Sequence, residues 1–186
     1  MIYIISGTDR PNSNSLKVSK CIQNIYKAID VETEIINLES LPIHELNGSM
    51  YGKELPAGVR EKINLIDDAD GLIMVVPEYN GSFPGVLKYF MDFWSYPKSY
   101  EYRPVCFVGL GGMWGGLRPV EHLQGVFGYR NSFMFPDRIF IRDVWNVLKN
   151  DAIEDKTIKE LLELQAAGFA KFVKSLKSSK LHALLR

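Results

Sequence analysis

Short apolar runs alternate with amphipathic segments along most of the chain. The apolar runs are rich in β-branched residues and predict buried strands, at Ile2–Ile5, Glu32–Ile36, Gly71–Val76, Val105–Val108 and Phe133–Ile141, the last interrupted by Pro136. Apolar residues at helical spacing predict helices between the strands, at Leu16–Ile29, Val59–Asp67, Val86–Trp94, Gly116–Tyr129 and Glu154–Lys177. Because the two kinds of segment alternate, we expect an α/β fold, a parallel sheet covered on both faces and one domain over residues 1–186.

The most informative segment follows the third predicted strand. It reads Pro77, Glu78, Tyr79, Asn80, Gly81 and Ser82. Ligands of open α/β sheets bind at the carboxyl ends of the strands, where this loop is expected. Tyr79 offers an aromatic face, Asn80 an amide that donates and accepts, and Gly81 a bare backbone. This composition indicates a wall for a planar ring rich in heteroatoms; the alternative is a tight connection whose turn residues serve only the backbone.

The loop after the first predicted strand is polar and leads into a helix. Its candidate ligand-binding residues are Thr8, Arg10, Ser13, Asn14 and Ser15. A helix amino terminus presents unpaired N–H groups and favours phosphate, so hydroxyls and a guanidinium there suit a terminal phosphate monoester. The glycine patterns of a P-loop and of a dinucleotide-binding loop are absent. The alternative is a capped turn, with Asn12 or Ser13 as the N-cap.

A third loop follows the fourth predicted strand and is rich in glycine. Its glycines are Gly109, Gly111, Gly112, Gly115 and Gly116. Bare backbone at the end of a strand indicates close approach by a flat or bulky group, although a purely structural loop would also explain it. All three loops follow strands that are neighbours in a sheet of order 2-1-3-4-5. Their joint occurrence therefore favours one shared binding site.

These loops resemble those of the NAD(P)H-dependent FMN reductase family, whose azoreductase and chromate or quinone reductase members are flavodoxin-like flavoproteins. The family's second loop is met at every specified position from Pro77 to Lys88, and its first and third loops are met more loosely. The chain departs from the family pattern at three places. Tyr89-Phe90 replace a customary Asn-Ala, Ser15 replaces an Asn, and Gly111-Gly112 stand where a serine is frequent.

The resemblance implies a flavodoxin-like three-layer sandwich with five parallel strands in the order 2-1-3-4-5. It also implies FMN as cofactor and NAD(P)H as co-substrate, with a flavin, quinone, azo compound or metal oxyanion as the small electron acceptor. Asn80 and the backbone amides near Gly81, Gly111 and Gly112 become candidate donors to the ring edge, and Gly115 belongs to the same glycine-rich loop. We expect Tyr79 to shape the wall of the site.

The resemblance gives other residues supporting roles. Glu78 is expected to brace its loop, and Met113 and Trp114 to line either the open face of the ring or a subunit interface. No catalytic side chain is expected, because FMN itself carries the electrons and protons. Two alternatives stay open: a flavodoxin-type electron carrier that ignores NAD(P)H, and a flavin-free interaction protein that keeps the fold.

Composition adds mainly negative expectations. The 22 basic and 22 acidic residues leave no net charge, so nothing directs the chain toward nucleic acid. No segment has transmembrane length or the pattern of a secretion signal, so we expect a cytoplasmic protein without a membrane partner. Cys21 and Cys106 lack redox or metal-binding spacing and are expected to be buried thiols. The three histidines likewise lack metal-ligand spacing.

Aromatic residues cluster after the third predicted helix. They are Trp94, Tyr96, Tyr100 and Tyr102. Aromatic side chains are enriched in interface cores, and members of the resembled family associate, so we expect a homodimer or homotetramer. The alternative is that these rings cap the sheet edge in a monomer.

Overall fold

A parallel sheet organises the computed structural model, which describes residues 1–185; Arg186 lies outside the described residues. Its principal strands lie in the order β2-β1-β3-β4-β5, which confirms the predicted order and the flavodoxin-like fold. These strands are β1 (Ile2–Ser6), β2 (Thr33–Asn37), β3 (Gly71–Pro77), β4 (Pro104–Leu110) and β5 (Phe133–Met134). A further strand, β6 (Ile139–Ile141), also pairs with β4.

Strand register brings three loops to one edge. Ile4 of β1 pairs with Ile73 of β3, and Ile73 pairs in turn with Cys106 of β4. Since all three strands run in the same direction, the segments that follow Ser6, Pro77 and Leu110 leave the sheet side by side. The fold therefore places the three loops of interest together before any side-chain contact is considered.

Helices cover both faces of the sheet. The helices are α1 (Asn14–Ala28), α2 (Ala57–Asp67), α3 (Gly85–Asp92), α4 (Leu117–Tyr129), α5 (Val144–Val147) and α6 (Lys156–Ser178). One core cluster joins α1 and α6 to the sheet, and Phe169 is completely buried in it. The second joins α2, α3 and α4 to the other face, with Phe90 and Phe127 completely buried. Successive side chains of each central strand pack alternately into the two cores, as expected for a sheet covered on both faces.

The fifth predicted strand is divided. Residues 133–134 and 139–141 form separate strands that pair with opposite ends of β4. Pro136 lies between them and carries no N–H to donate to a strand ladder, so pairing stops there. The predicted interruption at Pro136 is confirmed, and the two parts of the predicted strand are separate strands paired with the same neighbour.

Small elements between the predicted ones were missed. Three turns of 3₁₀ helix occupy the connection between β2 and α2, and α5 leads into an antiparallel hairpin. The strands of the hairpin are β7 (Leu148–Lys149) and β8 (Ala152–Ile153). The hairpin is joined to α1 by a 2.7 Å ion pair between Lys17 and Asp151. The hairpin packs against both α1 and α6.

Three expectations about individual side chains can be compared with the structure. Ser13 is the N-cap of α1, and its hydroxyl accepts from the Leu16 N–H at 3.1 Å. Cys106 is buried as expected, and burial raises the pKa of its thiol, whereas Cys21 is only half-buried. Among the helices of residues 1–185, none has the length and apolarity that crossing a membrane requires.

Candidate functional site

A cleft of about 360 Å³ opens at the carboxyl edge of the sheet, where the three loops meet. Its volume lies within the range of small-molecule sites, roughly 300–1,000 Å³. Residues singled out from the sequence line most of it: Thr8, Arg10, Ser13, Asn14, Ser15, Pro77, Glu78, Tyr79, Gly111 and Gly112. The remaining lining residues are Pro11, Asn12, Leu110, Val144 and Trp145. The structure thus brings the predicted loops into one concave surface.

One end of the cleft is the amino terminus of α1. The N–H groups of Asn14 and Ser15 make no hydrogen bond to any described residue, because the first turn of a helix lacks internal acceptors. The Ser15 hydroxyl is buried and also lacks a partner within residues 1–185. Arg10 is exposed at the mouth of the same loop. A set of unpaired donors and a cation at one helix terminus is suited to an anion.

The second loop is a tight turn with two left-handed residues. Asn80 has a φ of 51° and Gly81 a φ of 78°, and Tyr79 and Ser82 exchange backbone hydrogen bonds of 2.8 and 3.0 Å across them. This is the Asn-Gly arrangement of a type I′ turn. The turn residues Asn80, Gly81 and Ser82 stand beyond Tyr79 and do not line the cleft itself.

Side chains connect this turn to the first loop and to α4. The Tyr79 hydroxyl lies 3.1 Å from the Thr8 hydroxyl, which ties the second loop to the first. On the other side, Ser82 Oγ lies 2.9 Å from Nδ1 of His122 on α4. Glu78 braces its loop through the backbone, since its N–H donates to the Leu110 carbonyl at 3.0 Å. The Glu78 carboxylate has no hydrogen-bond partner within the described chain and lies beside Gly111.

The third loop folds back onto β4 through backbone contact. A Cβ atom at Gly109 would stand 2.6 Å from the Gly116 carbonyl oxygen, and one at Gly115 would stand 2.9 Å from the Arg142 nitrogen. These two glycines are therefore required by chain packing. Gly115, one of the predicted ligand-binding residues, does not line the cleft.

Bare backbone does reach the cleft at Gly111 and Gly112. The Gly111 N–H donates to the Ile141 carbonyl at 3.2 Å. Contrary to the expectation from the sequence, this amide is therefore already paired within the chain. Gly112 uses its carbonyl oxygen to accept from Asp143 at 3.0 Å, while its N–H has no partner within residues 1–185. Gly112 therefore presents a free amide donor of this loop where it lines the cleft.

Sequence reasoning missed the wall that follows β6. Val144 and Trp145 line the cleft from the start of α5. A signal was available, because any residue directly after a strand of this sheet leaves at the same edge as the three loops. Met113 and Trp114, which were expected at the open face or an interface, are exposed and do not line the cleft.

The residues that are present match the chemistry of FMN. The terminal phosphate requires N–H and hydroxyl donors and a cation, which the α1 terminus, Ser15 and Arg10 supply. The planar ring requires bare backbone and an aromatic wall, which Gly112 and Tyr79 supply. The unpaired buried hydroxyl of Ser15 is the most specific of these observations, since such groups in native proteins call for an explanation.

The fold and cleft define a flavodoxin-like protein of the flavin-binding kind, and sequence comparison identifies the family. The profile of the NADPH-dependent FMN reductase family matches residues 1–146, and the chain belongs to that family. It is therefore an FMN-dependent oxidoreductase that uses NAD(P)H, as the resemblance implied. The electron-carrier alternative finds no support in these comparisons.

Relatives extend over most of the chain. A 2-hydroxy-1,4-benzoquinone reductase from Burkholderia sp. is 26% identical over 179 residues, which cover 93% of this chain and 96% of that protein. An FMN-dependent NADPH-azoreductase from Staphylococcus aureus is 27% identical over 146 residues, which cover 75% of this chain and 76% of that protein. The solved NAD(P)H:(acceptor) oxidoreductase of Paracoccus denitrificans shares the fold, with a TM-score of 0.77 and 19% sequence identity. The match covers 94% of this chain and 97% of that one.

The packing of the third loop gives a stability prediction. Gly116 has a φ of 81°, and an added Cβ would stand 2.8 Å from the Gly109 Cα, so Gly116→Ala should destabilise the protein by about 2–4 kcal/mol. Gly48→Ala is the matched control, because that glycine is exposed and has nothing within 4 Å of an added Cβ. It should change the free energy of unfolding by less than about 1 kcal/mol. Urea unfolding measures both, and equal effects at the two positions would contradict the packing argument.

Proposed function

We propose that the cleft formed by the three loops is the FMN site of this reductase. The observation that carries the proposal is the convergence of unpaired donors at the α1 terminus with bare backbone at Gly112 in one cavity. Each loop alone has a structural explanation, but a shared ligand explains why the first and third loops present unpaired donors to the space that Tyr79 of the second loop lines. The domain that binds FMN is proposed to span residues 1–186.

The phosphate of FMN would lie at the amino terminus of α1. The N–H groups of Asn14 and Ser15 and the Ser15 hydroxyl would donate to its oxygens, and the Arg10 guanidinium would add a charged donor. The Ser13 hydroxyl oxygen already accepts from the Leu16 N–H at the helix cap, so Ser13 fixes the helix start and its hydroxyl proton is left to donate to a ligand. The departure from the family Asn at Ser15 thus retains a donor.

The ring of FMN would lie against the other two loops. Tyr79 is held in place by Thr8 and presents an aromatic side chain to the cleft. Gly112 allows the ring to approach the backbone closely and offers a free N–H. The Asn80–Gly81 turn projects beside this position, and its two N–H groups have no partners within the described chain. The protein residues therefore bind and orient the ring.

When bound, FMN supplies hydride-accepting and electron-donating chemistry. The net reaction takes two electrons and a proton from NAD(P)H and a second proton from solvent, and delivers them to an acceptor. A flavin, quinone or azo compound would leave as its dihydro form, and a metal oxyanion would leave with its metal reduced by two electrons and one oxygen released as water. We propose that the acceptor is a small molecule, such as a flavin, quinone, azo compound or metal oxyanion. The names of the Burkholderia and Staphylococcus relatives support the quinone and azo classes.

We also propose that the protein works as a homodimer or homotetramer in the cytoplasm. Trp94 and Tyr100, from the predicted interface cluster, belong to the core of the chain itself, so they do not carry this proposal. Its support comes from a groove of about 490 Å³ between α3 and α4. There, Arg130 lies 4.5 Å from the Tyr96 ring centre and 5.1 Å from that of Tyr129.

These two rings are 64% and 79% exposed, and exposed aromatics around an arginine are typical of interface cores. The groove also includes His122, which contacts Ser82 of the second loop. The proposed interface would therefore adjoin the proposed flavin site.

The cysteines support the proposed cytoplasmic location, since both are free thiols and free thiols are compatible with a reducing compartment.

Reduction by nicotinamide tests the proposed function. The purified protein loaded with FMN should lose its flavin absorbance in one step after anaerobic mixing with NADH or NADPH, and an added benzoquinone should restore it. Stopped-flow absorbance measures both steps. Flavin that stays oxidised with both nucleotides, but is bleached by dithionite, would instead identify an electron carrier.

Replacement of Arg10 tests the phosphate end of the site. Arg10→Ala should weaken FMN binding by about ten- to a hundredfold, because a hydrogen bond to a charged group contributes roughly 1.5–3 kcal/mol. Riboflavin, which lacks the phosphate, should bind as before. Lys20→Ala is the matched control, since it removes an exposed cation from α1 outside the cleft. Titrations that show equal losses for FMN and riboflavin would make Arg10 a structural residue.

Charge at the groove tests assembly. Light scattering should give two or four times the chain mass of 21.2 kDa, and Tyr129→Glu should lower it by burying a charge at the interface, to the chain mass from a dimer and to twice that mass from a tetramer. Leu164→Glu, at an exposed apolar position on α6, is the control and should leave the mass unchanged. A wild-type mass of 21.2 kDa at micromolar concentration would contradict the proposal.

A further inference from the structure

Trp145 is an exposed indole at the rim of the cleft. It is 65% exposed and yet lines the cavity together with Val144, at the beginning of α5. Its six-membered ring lies over bare backbone, 3.7–3.8 Å from where a Cβ atom of Gly112 would stand. Large aromatic side chains usually bury most of their surface, so an indole left open beside a cavity requires an explanation.

Backbone hydrogen bonds hold the start of α5 against the third loop. The N–H of Asp143 donates to the Gly112 carbonyl at 3.0 Å, and that of Val144 donates to the Gly111 carbonyl at 3.2 Å. Val144 itself is buried in the core between α1, α6 and the sheet. The backbone on either side of Val144 is therefore held in place, and Trp145, the next residue, extends from the same turn that forms the cleft wall.

The segment after α5 is anchored at a second place. Asp151, in the turn of the β7–β8 hairpin, forms the ion pair with Lys17 of α1, and its carbonyl accepts from the Cys21 thiol at 3.4 Å. The N–H of Glu154 returns to the Val147 carbonyl at 3.2 Å. Trp145 is therefore positioned by contacts before and after it, rather than by packing of its own ring.

The indole has no aromatic partner within residues 1–185. A planar group lying on the bare backbone of Gly112 would meet it, because the indole stands within van der Waals distance of where a Gly112 Cβ would be and both residues line the same cavity. Stacking on an aromatic heterocycle would cover the exposed face and use the geometry that aromatic rings prefer. Met113 and Trp114 are also exposed, but they lie outside the cleft.

We propose that Trp145 binds the isoalloxazine ring of FMN, as an aromatic wall contributed by α5 in addition to the three loops. This inference rests on the proposed function, since it takes the cleft to be the flavin site. It predicts that Trp145 contributes to ring affinity and not to phosphate affinity. Its effect is therefore distinguishable from that of Arg10.

The binding experiment compares FMN with riboflavin. Trp145→Leu should weaken both ligands by the same factor, about three- to tenfold, because loss of an aromatic contact acts on the ring they share. Trp145→Phe should retain most of the affinity. Trp114→Leu, a change of the same kind at an exposed indole outside the cleft, should alter neither dissociation constant.

A second measurement leaves the wild-type side chains in place apart from a fluorine label. The chain has three tryptophans, Trp94, Trp114 and Trp145, so protein containing 5-fluorotryptophan should give three ¹⁹F resonances, assigned by single Phe replacements. Saturation with riboflavin should shift the Trp145 resonance by the ring current of the flavin and leave that of buried Trp94 in place.

The outcomes separate this inference from the proposed function. A Trp145 resonance that stays in place, or unchanged dissociation constants for Trp145→Leu, would overturn the role of Trp145 while Arg10→Ala still weakened FMN alone. If Arg10→Ala also had no effect, the cleft would not be the flavin site and both proposals would fail. Equal weakening of FMN and riboflavin by Trp145→Leu, with the resonance shift, would support the inference.

Discussion

The contact between two stretches of bare backbone, at Gly109 and Gly116, is the constraint on which the candidate site depends. No side chain other than hydrogen can occupy these positions without moving β4 or the start of α4. The contact folds the third loop back over its own strand, and this leaves Gly111 and Gly112 facing the segment that follows β6. The cleft wall, the start of α4 and the orientation of α5 all follow from that one approach.

Much of the fold could be predicted from local signals. The strands β1, β3 and β4 are continuous apolar runs because they are buried on both faces, and parallel central strands show this pattern clearly. The polar segment before α1 marked a helix terminus, and Ser13, one of the two predicted N-cap residues, caps it. In each case the interactions that determine the element involve residues close together in the chain, so a local sequence pattern is enough to predict it.

The parts that could not be predicted depend on distant contacts. The β7–β8 hairpin is too short to show a strand pattern, and it is held by the ion pair between Lys17 and Asp151. Gly115 is packed against the backbone at Arg142, and in sequence a glycine required by such packing looks the same as one required by a ligand. Trp145 was overlooked since its importance comes from its position beside Gly112, which no local pattern expresses.

The unpaired hydroxyl of Ser15 has a consequence for the stability of the protein without its cofactor. A buried polar group without a partner costs about 1–3 kcal/mol, and this cost falls on the empty protein alone if FMN supplies the partner. By mass action, a ligand at a hundred times its dissociation constant adds about 2.7 kcal/mol to the free energy of unfolding. Chains without cofactor would then unfold and be degraded more readily, so the cellular supply of FMN would regulate how much of this protein persists.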